Sequence, residues 1–400
     1  MATQRSNIAC WDSFSGEPLS PVISWQDRRA AQWIEQYQSH ATEIHQTTGL
    51  FPSPHYGVGK LKWCFENLTQ VRNAHQQQRL YWGPMSSFLL HQLLDERPYL
   101  VDHVNASRTL LWNINTLEWD STLMQLFELP DNPLPRCVPN QHPFGHLTIA
   151  GHRIPMTTAI GDQSASLFAW QHLQGDALYI NIGTGAFIQR TTNGECVITP
   201  QLLSSLLLQQ PGTPFYALEG TVNGAGSALG WIEQRLKPDI LYQQLPQWLQ
   251  RNDHSTLFLN GISGIGSPFW KADFDSRFIG DGDSEQQIVA VIESIAFLLQ
   301  LNIELLQQHR PGAKRILISG GLAQLDGLCQ RIADLSGLTL QRMSKCEATA
   351  SGLAWLMAQQ SAISETAWRQ HDQQQIEPQQ NPPLLERYEQ WRIALERALA

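Results

Sequence analysis

The stretch that decides the fold of this chain runs from residue 161 to residue 187 and reads GDQSASLFAWQHLQGDALYINIGTGAF. Asp162 stands at the start of an apolar, small-residue run at residues 164–170 that has the spacing of a buried helix. After a Gly-Asp break, a short strand at 177–182 leads into a Gly-Thr-Gly turn at 183–185. Such a turn presents backbone N–H groups and a hydroxyl, which suit phosphate oxygens. The stretch therefore combines a carboxylate with a phosphate-binding turn, as phosphoryl transfer requires.

Both features also have an ordinary structural interpretation. A carboxylate at a helix start is more often an N-cap than a base, and a Gly-Thr-Gly sequence is more often a tight turn than a phosphate site. The choice between these roles for Asp162 and the turn at 183–185 depends on the rest of the chain.

Composition limits the classes of protein to consider. A length of 400 residues predicts two domains, and a 42% hydrophobic content with 14 tryptophans is enough to build their cores. The net charge of −9, with 27 Lys and Arg in no basic run, argues against a nucleic-acid partner. The six cysteines form no C-x-x-C pair, and the first residues contain no apolar signal core, so we expect a cytoplasmic protein with reduced thiols.

Two local patterns are predicted to be structural. The most apolar window, residues 288–306, contains Glu293 and Glu304, so we predict a buried helix and no membrane partner. The two histidines of H-P-F-G-H at 142–146 have i, i+4 spacing, but the proline and glycine between them disfavour the helix that a metal pair would need, so we predict a loop there.

Coarse secondary structure follows from periodicity. At the N-terminus we predict a hairpin of strands at 5–11 and 21–25, and then one amphipathic helix from residue 26 to about residue 46. In the last third, a helix at 288–308, a strand at 314–319, a helix at 326–335 and a strand at 338–343 alternate, which predicts a largely parallel, layered sheet.

Glycine-rich turns follow strands at three places, residues 183–185, 224–230 and 320–321. The second has the spacing G-x-G-x-x-x-G, one residue longer than the dinucleotide fingerprint, which speaks against a nicotinamide dehydrogenase. The sequence contains neither G-x-x-x-x-G-K-[ST] nor G-x-S-x-G.

Together these turns resemble those of the actin-like sugar kinases, specifically the FGGY carbohydrate kinase family and, within it, the glycerol kinases. The resemblance covers almost the whole chain, and its motifs occur in the family's order. They are W-Q-D-R-R at 25–29, T-G-L at 48–50, K-L-K-W at 60–63, N-A-S-R-T-L-L-W-N-I-N-T-L-E-W-D at 105–120, G-D-Q at 161–163, A-L-E-G at 217–220, S-P-F-W-K-A-D at 267–273, S-G-G-L-A-Q-L-D-G at 319–327 and E-A-T-A-S-G-L-A at 347–354.

The resemblance implies an α/β fold of two actin-like, ribonuclease-H-like ATPase domains around a cleft. The expected boundaries are a sugar-binding domain at 1–171 and a nucleotide-binding domain at 172–400, the latter with a Gln/Pro linker at 370–383 and a terminal helix at 384–399. The implied function is ATP-dependent phosphorylation of a hydroxyl of a carbohydrate or polyol, with Mg²⁺ as the metal that accompanies ATP. A homodimer is left open.

The resemblance also assigns site residues. Asp162 is the expected general base. The expected acceptor-binding residues are Arg5, Trp25, His55, Asp162, Gln163 and Phe187, and the expected nucleotide-binding residues are Gly183, Thr184, Gly226, Gly320 and Gly321. For the two aromatic residues Trp25 and Phe187, core packing is the alternative that the residues alone favour.

The sequence departs from the family at three places. Ser6 stands where glycerol kinases carry an acidic residue, and His55 stands where they carry a tyrosine, so glycerol itself is expected to be a poor substrate. The Asp-x-Gly-Thr-Thr hairpin that binds phosphates in the family would precede Thr3, so we expect the first domain to lack its first strands. The alternative function is therefore a catalytically impaired, truncated kinase that acts at most as a sugar-binding or scaffold module.

Overall fold

The computed structural model describes residues 1–210, 212–236, 241–249, 256–343, 347–360 and 373–400. These residues divide into two compact units, which we call the first and second units. The first unit takes its residues from Met1–Leu173, Thr192–Ala217 and Glu347–Trp368, and the second from Gln174–Thr191, Leu218–Cys346 and Arg369–Ala400. The first division lies close to the predicted boundary after residue 171, but the later segments of the first unit fall within the predicted second domain.

The first 173 residues form short strands and helices. In chain order they are β1 (Ala2–Thr3), β2 (Ile8–Asp12), α1 (Ala31–Glu35), the 3₁₀ helix Gln38–His40, α2 (Ala41–Thr48), α3 (Gly57–Asn67), α4 (Thr69–Gln76), β3 (Leu80–Pro84), α5 (Met85–Leu93), β4 (Leu100–Asp102), α6 (His103–Ala106), β5 (Trp112–Asn113), β6 (Glu118–Trp119), α7 (Ser121–Leu126), β7 (Arg136–Val138), β8 (Gln141–Ile149), β9 (His152–Thr158), β10 (Ile160–Gly161), α8 (Asp162–Leu167) and the 3₁₀ helix Phe168–Trp170.

Longer elements follow in the rest of the chain. They are β11 (Ala177–Ile182), β12 (Ala186–Thr191), β13 (Leu203–Gln210), β14 (Thr213–Val222), α9 (Gly226–Leu236), α10 (Leu241–Trp248), β15 (Leu257–Leu259), β16 (Arg277–Ile279), α11 (Ser284–His309), β17 (Arg315–Ser319), the 3₁₀ helix Gly321–Gln324, α12 (Asp326–Ser336), β18 (Thr339–Met343), α13 (Ala348–Ala358), β19 (Gln373–Ile376) and α14 (Pro382–Leu399).

In the first unit, helix α13 holds the start of α8 in place. A Cβ atom on Gly352 of α13 would lie 1.8 Å from the carbonyl oxygen of Ala165 in α8, so only glycine permits this close approach. Trp355 of the same helix and Ala165 belong to one buried cluster. The small-residue motif at 347–354 is therefore the contact surface that positions the helix beginning with Asp162.

The second unit is built on a sheet with the strand order β14-β12-β11-β17-β18-β19. Strands β11 and β12 form an antiparallel hairpin, whereas β11, β17 and β18 are parallel. This arrangement is the one expected for a ribonuclease-H-like domain. Because β11 and β17 are parallel neighbours, the turns that follow them come to the same edge of the sheet.

Helix α11 is the buried helix of the second unit. Asp283 and Gln286 form a capping box at its start. Inside, Glu293 is paired with Arg331 of α12 at 3.2 Å and with Arg387 of α14 at 2.5 Å. By length and composition α11 alone among the described helices is apolar enough to span a membrane, but 89% of its apolar window is buried in the protein. The prediction of a buried helix is confirmed.

Three predicted elements differ from the structure. Strand β2 pairs with β3 and makes only isolated bridges to the segment at 18–23, because Pro18 and Pro21 lack the N–H groups that a ladder needs. The helix predicted at 26–46 is divided into α1 and α2, since residues 38–40 offer no buried side chain to hold its middle. Residues 142–146 lie in strand β8.

The predicted linker at 370–383 also needs a correction. Its residues 373–376 form strand β19, which pairs antiparallel with β18. A glutamine-rich segment can serve as an edge strand because pairing uses the backbone and only Ile376 is buried. Residues 370–372 lie outside the described residues.

Candidate functional site

Asp162 is the first residue of α8, directly after the short strand β10. The N-cap position belongs to Gly161, so Asp162 is not the N-cap of this helix. One carboxylate oxygen, Oδ1, accepts a hydrogen bond from the backbone N–H of Gln163 at 2.8 Å. Burial raises the pKa of Asp162, and the positive charge of Arg5 offsets part of that rise. A carboxylate with a raised pKa is a better proton acceptor than an exposed one.

Arg5 lies against the backbone just before Asp162. A Cβ atom on Gly161 would lie 2.5 Å from Cγ and 2.6 Å from Cδ of Arg5, so the arginine stem occupies the space that glycine leaves. The Arg5 side chain is 7% exposed. The glycine of the G-D-Q motif thus lets a buried cation approach the carboxylate that follows it.

His55 and Trp25 form an aromatic pair in the same unit. Their ring centroids are 5.4 Å apart, and the Trp25 backbone N–H donates to Oδ1 of Asn7 at 2.7 Å. Burial lowers the pKa of His55 well below its ordinary value, and positive charges, those of Lys60 and Arg108 foremost, lower it further. His55 is therefore a neutral imidazole near neutral pH, able to donate one hydrogen bond and accept another.

Gln163 offers a buried acceptor atom to a ligand, whereas the hydroxyl of Ser6 is already hydrogen-bonded to the backbone. Oε1 of Gln163 is buried and has no hydrogen-bond partner in the described part of the chain, so it is an acceptor that a ligand hydroxyl would satisfy. Ser6 is 2% exposed, and its hydroxyl donates to the carbonyl of Arg108 at 3.3 Å. Its side chain is therefore engaged with the backbone.

The second unit brings the glycine turns together. The backbone N–H of Gly226, at the start of α9, donates to the carbonyl of Gly183 at 3.0 Å. The carbonyl of Thr184 accepts from the backbone N–H of Ser227 at 3.0 Å. Gly183 and Thr184 are exposed, so the turn lies at the surface of this unit beside a helix N-terminus.

Gly320 joins the same place from β17. Its φ of +99° is a backbone conformation that favours glycine, and a Cβ there would lie 2.4 Å from the carbonyl oxygen of Ile182. The next glycine, Gly321, faces open space. Ser319 and Asn181 link the ends of β17 and β11 through a 3.0 Å side-chain hydrogen bond.

Phe187 is half-buried in β12 and lies opposite Asn181 in the hairpin. It belongs to the second unit, with the predicted nucleotide residues, whereas Arg5, Trp25, His55, Asp162 and Gln163 belong to the first. The structure thus groups the predicted site residues within each unit.

Sequence reasoning assigned no role to Lys60, Asn7, Asn181 or Ser319. Lys60 is the first residue of the K-L-K-W motif. It is the one charged residue in the small and apolar stretch G-V-G-K-L, and this pattern could have indicated a buried lysine. Nothing in the sequence pairs Asn181 with Ser319, because that contact depends on strand register.

Residues 1–169 match the FGGY family of carbohydrate kinases, N-terminal domain, and residues 178–360 match the C-terminal domain of the same family. The chain is 31% identical over 378 residues to the glycerol kinase of Geobacter sp. (strain M21), which covers 92% of this chain and 76% of that protein. The chain belongs to the FGGY family of carbohydrate kinases.

Solved structures confirm the predicted fold of the kinase. The Plasmodium falciparum glycerol kinase with ADP has a TM-score of 0.87 at 22% identity, covering 100% of this chain and 83% of that one. The gluconate kinase of Lactobacillus acidophilus has a TM-score of 0.83 at 20% identity, covering 100% and 84%. The kinase has the two-domain actin-like, ribonuclease-H-like fold, and it uses ATP to phosphorylate a hydroxyl of a sugar or polyol. No finding favours the alternative of a sugar-binding or scaffold module.

Proposed function

We propose that the kinase transfers the γ-phosphoryl group of ATP to a polyol or ketose longer than glycerol, with Asp162 as the general base. The observation that carries this proposal is the position of Asp162, partly buried at the start of α8 and beside the Arg5 stem. Because burial raises its pKa, its carboxylate is suited to take a proton from an alcohol as the bond to phosphorus forms.

The proton has a defined destination. Oδ1 of Asp162 accepts the backbone N–H of Gln163, so Oδ2 is the oxygen that takes the proton from the acceptor hydroxyl. As that proton moves, the acceptor oxygen bonds to the γ-phosphorus and the bond from that phosphorus to the bridging oxygen breaks, releasing ADP.

The acceptor is held by groups of complementary capacity. Arg5 donates to hydroxyl oxygens, and the buried Oε1 of Gln163 accepts from a hydroxyl. Neutral His55 does either, while Trp25 supplies an apolar face next to it. Phe187 stays a predicted acceptor residue on the family resemblance alone.

The nucleotide phosphates would be bound at the edge of the second unit where Gly183, Thr184, Gly226, Gly320 and Gly321 meet. The exposed turn and the N-terminus of α9 fit an anion, since helix N-termini carry a partial positive charge. Among the described residues no group of three or more His, Cys, Asp or Glu side chains forms a metal site. Mg²⁺ would accompany the nucleotide phosphates and offset their charge.

Ser6 supports the preference for a longer acceptor. A carboxylate at this position would add a strong hydroxyl acceptor, whereas the Ser6 hydroxyl is directed to the carbonyl of Arg108. His55 has a smaller ring than the tyrosine found in glycerol kinases and reaches less far. Both features leave fewer groups for the hydroxyls of a three-carbon polyol.

A panel of glycerol, four- to six-carbon polyols and ketoses, assayed with MgATP by ADP release, tests this proposal. We expect at least one longer acceptor to exceed glycerol in kcat/KM by tenfold or more, given that one lost hydrogen bond to a charged group costs about 1.5–3 kcal/mol. The variant His55→Tyr is expected to improve glycerol relative to the others. Glycerol with the highest kcat/KM of the panel would contradict the proposed preference.

A further inference from the structure

Lys60 is a fully buried lysine close to the predicted acceptor residues. It is 0% exposed, and its Nζ donates to the carbonyl oxygens of Ser6 at 2.9 Å and His55 at 2.5 Å. Within the described residues the structure records no ion pair for its ammonium group. The Lys60 Nζ therefore hydrogen-bonds to two backbone carbonyls, which lie 54 and 5 residues away in sequence.

This position is unfavourable for a lysine on its own account. Lys60 is the fourth residue of α3 (Gly57–Asn67), near the helix end that carries partial positive charge. The pKa of Lys60 is lowered to about 7, chiefly by burial; the negative charge of Asp27 offsets part of that fall, and the positive charge of Arg28 adds to it. An unbranched apolar side chain would avoid these costs, so the packing of α3 by itself does not call for a lysine, and its two carbonyl partners are the reason to examine.

The two carbonyls belong to segments that carry acceptor residues. Ser6 directly follows Arg5 and adopts a φ of +63°, a conformation that is uncommon for a residue other than glycine. His55 is itself a predicted acceptor residue and lies in the loop before α3. The ammonium thus joins the backbone beside Arg5 to the backbone of His55.

Charge state does not decide whether this bridge forms. An ammonium has three N–H donors and a neutral amine has two, so both forms can serve the two carbonyls. The titratable and charged groups that act on Lys60 are Asp27 and Arg28, and His55 beside it is neutral. The two hydrogen bonds can therefore form in either protonation state of Lys60.

We propose that Lys60 is a positioning residue for the acceptor: through the carbonyls of Ser6 and His55 it fixes the separation of Arg5 and His55. This inference rests on the proposed function of those two residues. Lys60 itself contacts neither the acceptor nor the transferred phosphoryl group. Without the bridge, the turn at Ser6 and the loop at His55 relax independently, and the acceptor loses its preorganised partners.

Substitution of Lys60 distinguishes positioning from a purely structural role. Lys60→Met keeps the length of the side chain and removes all donors, and Lys60→Arg keeps donors. Lys62→Met is the matched control, because Lys62 lies on the same helix and donates to the carbonyl of Glu128, away from the predicted acceptor residues. Each variant is assayed for KM of the best acceptor in the panel, KM of ATP and melting temperature.

We expect Lys60→Met to raise the acceptor KM by about tenfold to a hundredfold, because a misplacement of binding groups by about 1 Å costs up to about 100-fold, with KM for ATP within twofold. Lys60→Arg is expected to recover part of the affinity, and Lys62→Met to leave both constants unchanged. An unchanged acceptor KM in Lys60→Met, or equal rises in the acceptor and ATP constants, would overturn the proposal.

If Lys60→Met does not fold, Lys60→Gln replaces it; glutamine has a shorter side chain that still carries a donor. An unchanged acceptor KM, or equal rises in the acceptor and ATP constants, would overturn the proposal for this variant too. The experiment uses whichever acceptor the wild-type enzyme prefers. A preference for glycerol would therefore sink the proposed substrate class while the role of Lys60 is still decided by its own KM comparison.

Discussion

Replacing Gly161 by alanine tests whether the approach of Arg5 to Asp162 matters for phosphoryl transfer. The backbone at Gly161, with φ −70° and ψ 142°, accepts any residue, so the substitution introduces no backbone strain. The added Cβ would lie 2.5 Å from Cγ of Arg5, whereas ordinary contacts begin at 3.4 Å. The arginine stem must therefore move by about 0.9 Å, and a misplacement of about 1 Å costs about 100-fold in rate.

We expect Gly161→Ala to lower kcat/KM for the acceptor by about 100-fold while the melting temperature stays within a few degrees. Alanine at a compatible backbone position reduces the entropy of the unfolded chain, which offsets some local crowding. Steady-state kinetics with the preferred acceptor and saturating MgATP measure the effect, and a thermal melt measures the stability.

A double-mutant cycle with Arg5→Ala shows whether the effect passes through the arginine. If it does, adding Gly161→Ala to the Arg5→Ala enzyme lowers kcat/KM by no more than about threefold, since the displaced side chain is already gone. Wild-type kinetics in Gly161→Ala, or the same 100-fold loss in the Arg5→Ala background, would refute the reasoning.

Three further outcomes follow from the structure. Burial raises the pKa of Asp162, and a base must be deprotonated, so kcat/KM falls as pH drops through that raised pKa. Arg5→Met removes a charge that lowers this pKa and therefore moves the acidic limb of the pH–rate profile to higher pH. A limb that does not move refutes the assignment of Asp162 as the base. Gly320→Ala lowers the melting temperature and raises KM for ATP, because its Cβ would clash with the end of β11. The control Gly321→Ala faces open space and leaves the melting temperature unchanged. Equal melting temperatures for the two variants would contradict this prediction. Glu293→Gln lowers the free energy of unfolding, measured in urea, by about 3–5 kcal/mol and leaves the KM values unchanged, because Arg331 and Arg387 lose their buried carboxylate. A loss below about 1 kcal/mol would contradict the burial argument.

The elements that the sequence predicted best are those with strong local signals. The strand at 177–182 and the long helix α11 have apolar patterns that packing in the second unit supports, and the structure has both. The helix predicted at 26–46 failed because its middle has no side chain to bury, so local propensity lacked tertiary support.

Sequence motifs predicted some residues of the candidate site, but they did not predict contacts that depend on how distant segments of the chain pair. G-D-Q and the glycine turns located Asp162 and Gly183 from sequence. The bridge from Lys60 to Ser6 and the pairing of Asn181 depend on how distant segments meet, which spacing along the chain does not encode. The corrected linker shows the same limit, since β19 forms through backbone pairing that its polar side chains do not signal.

The central claim, that Asp162 is the general base, is tested most directly by the kcat of Asp162→Asn with the preferred acceptor. Asparagine preserves the size of the side chain and cannot take the proton, so the account predicts a fall of about 10²–10⁴-fold in kcat. KM for ATP and the melting temperature should stay at wild-type values. A kcat within twofold of wild type would contradict the account.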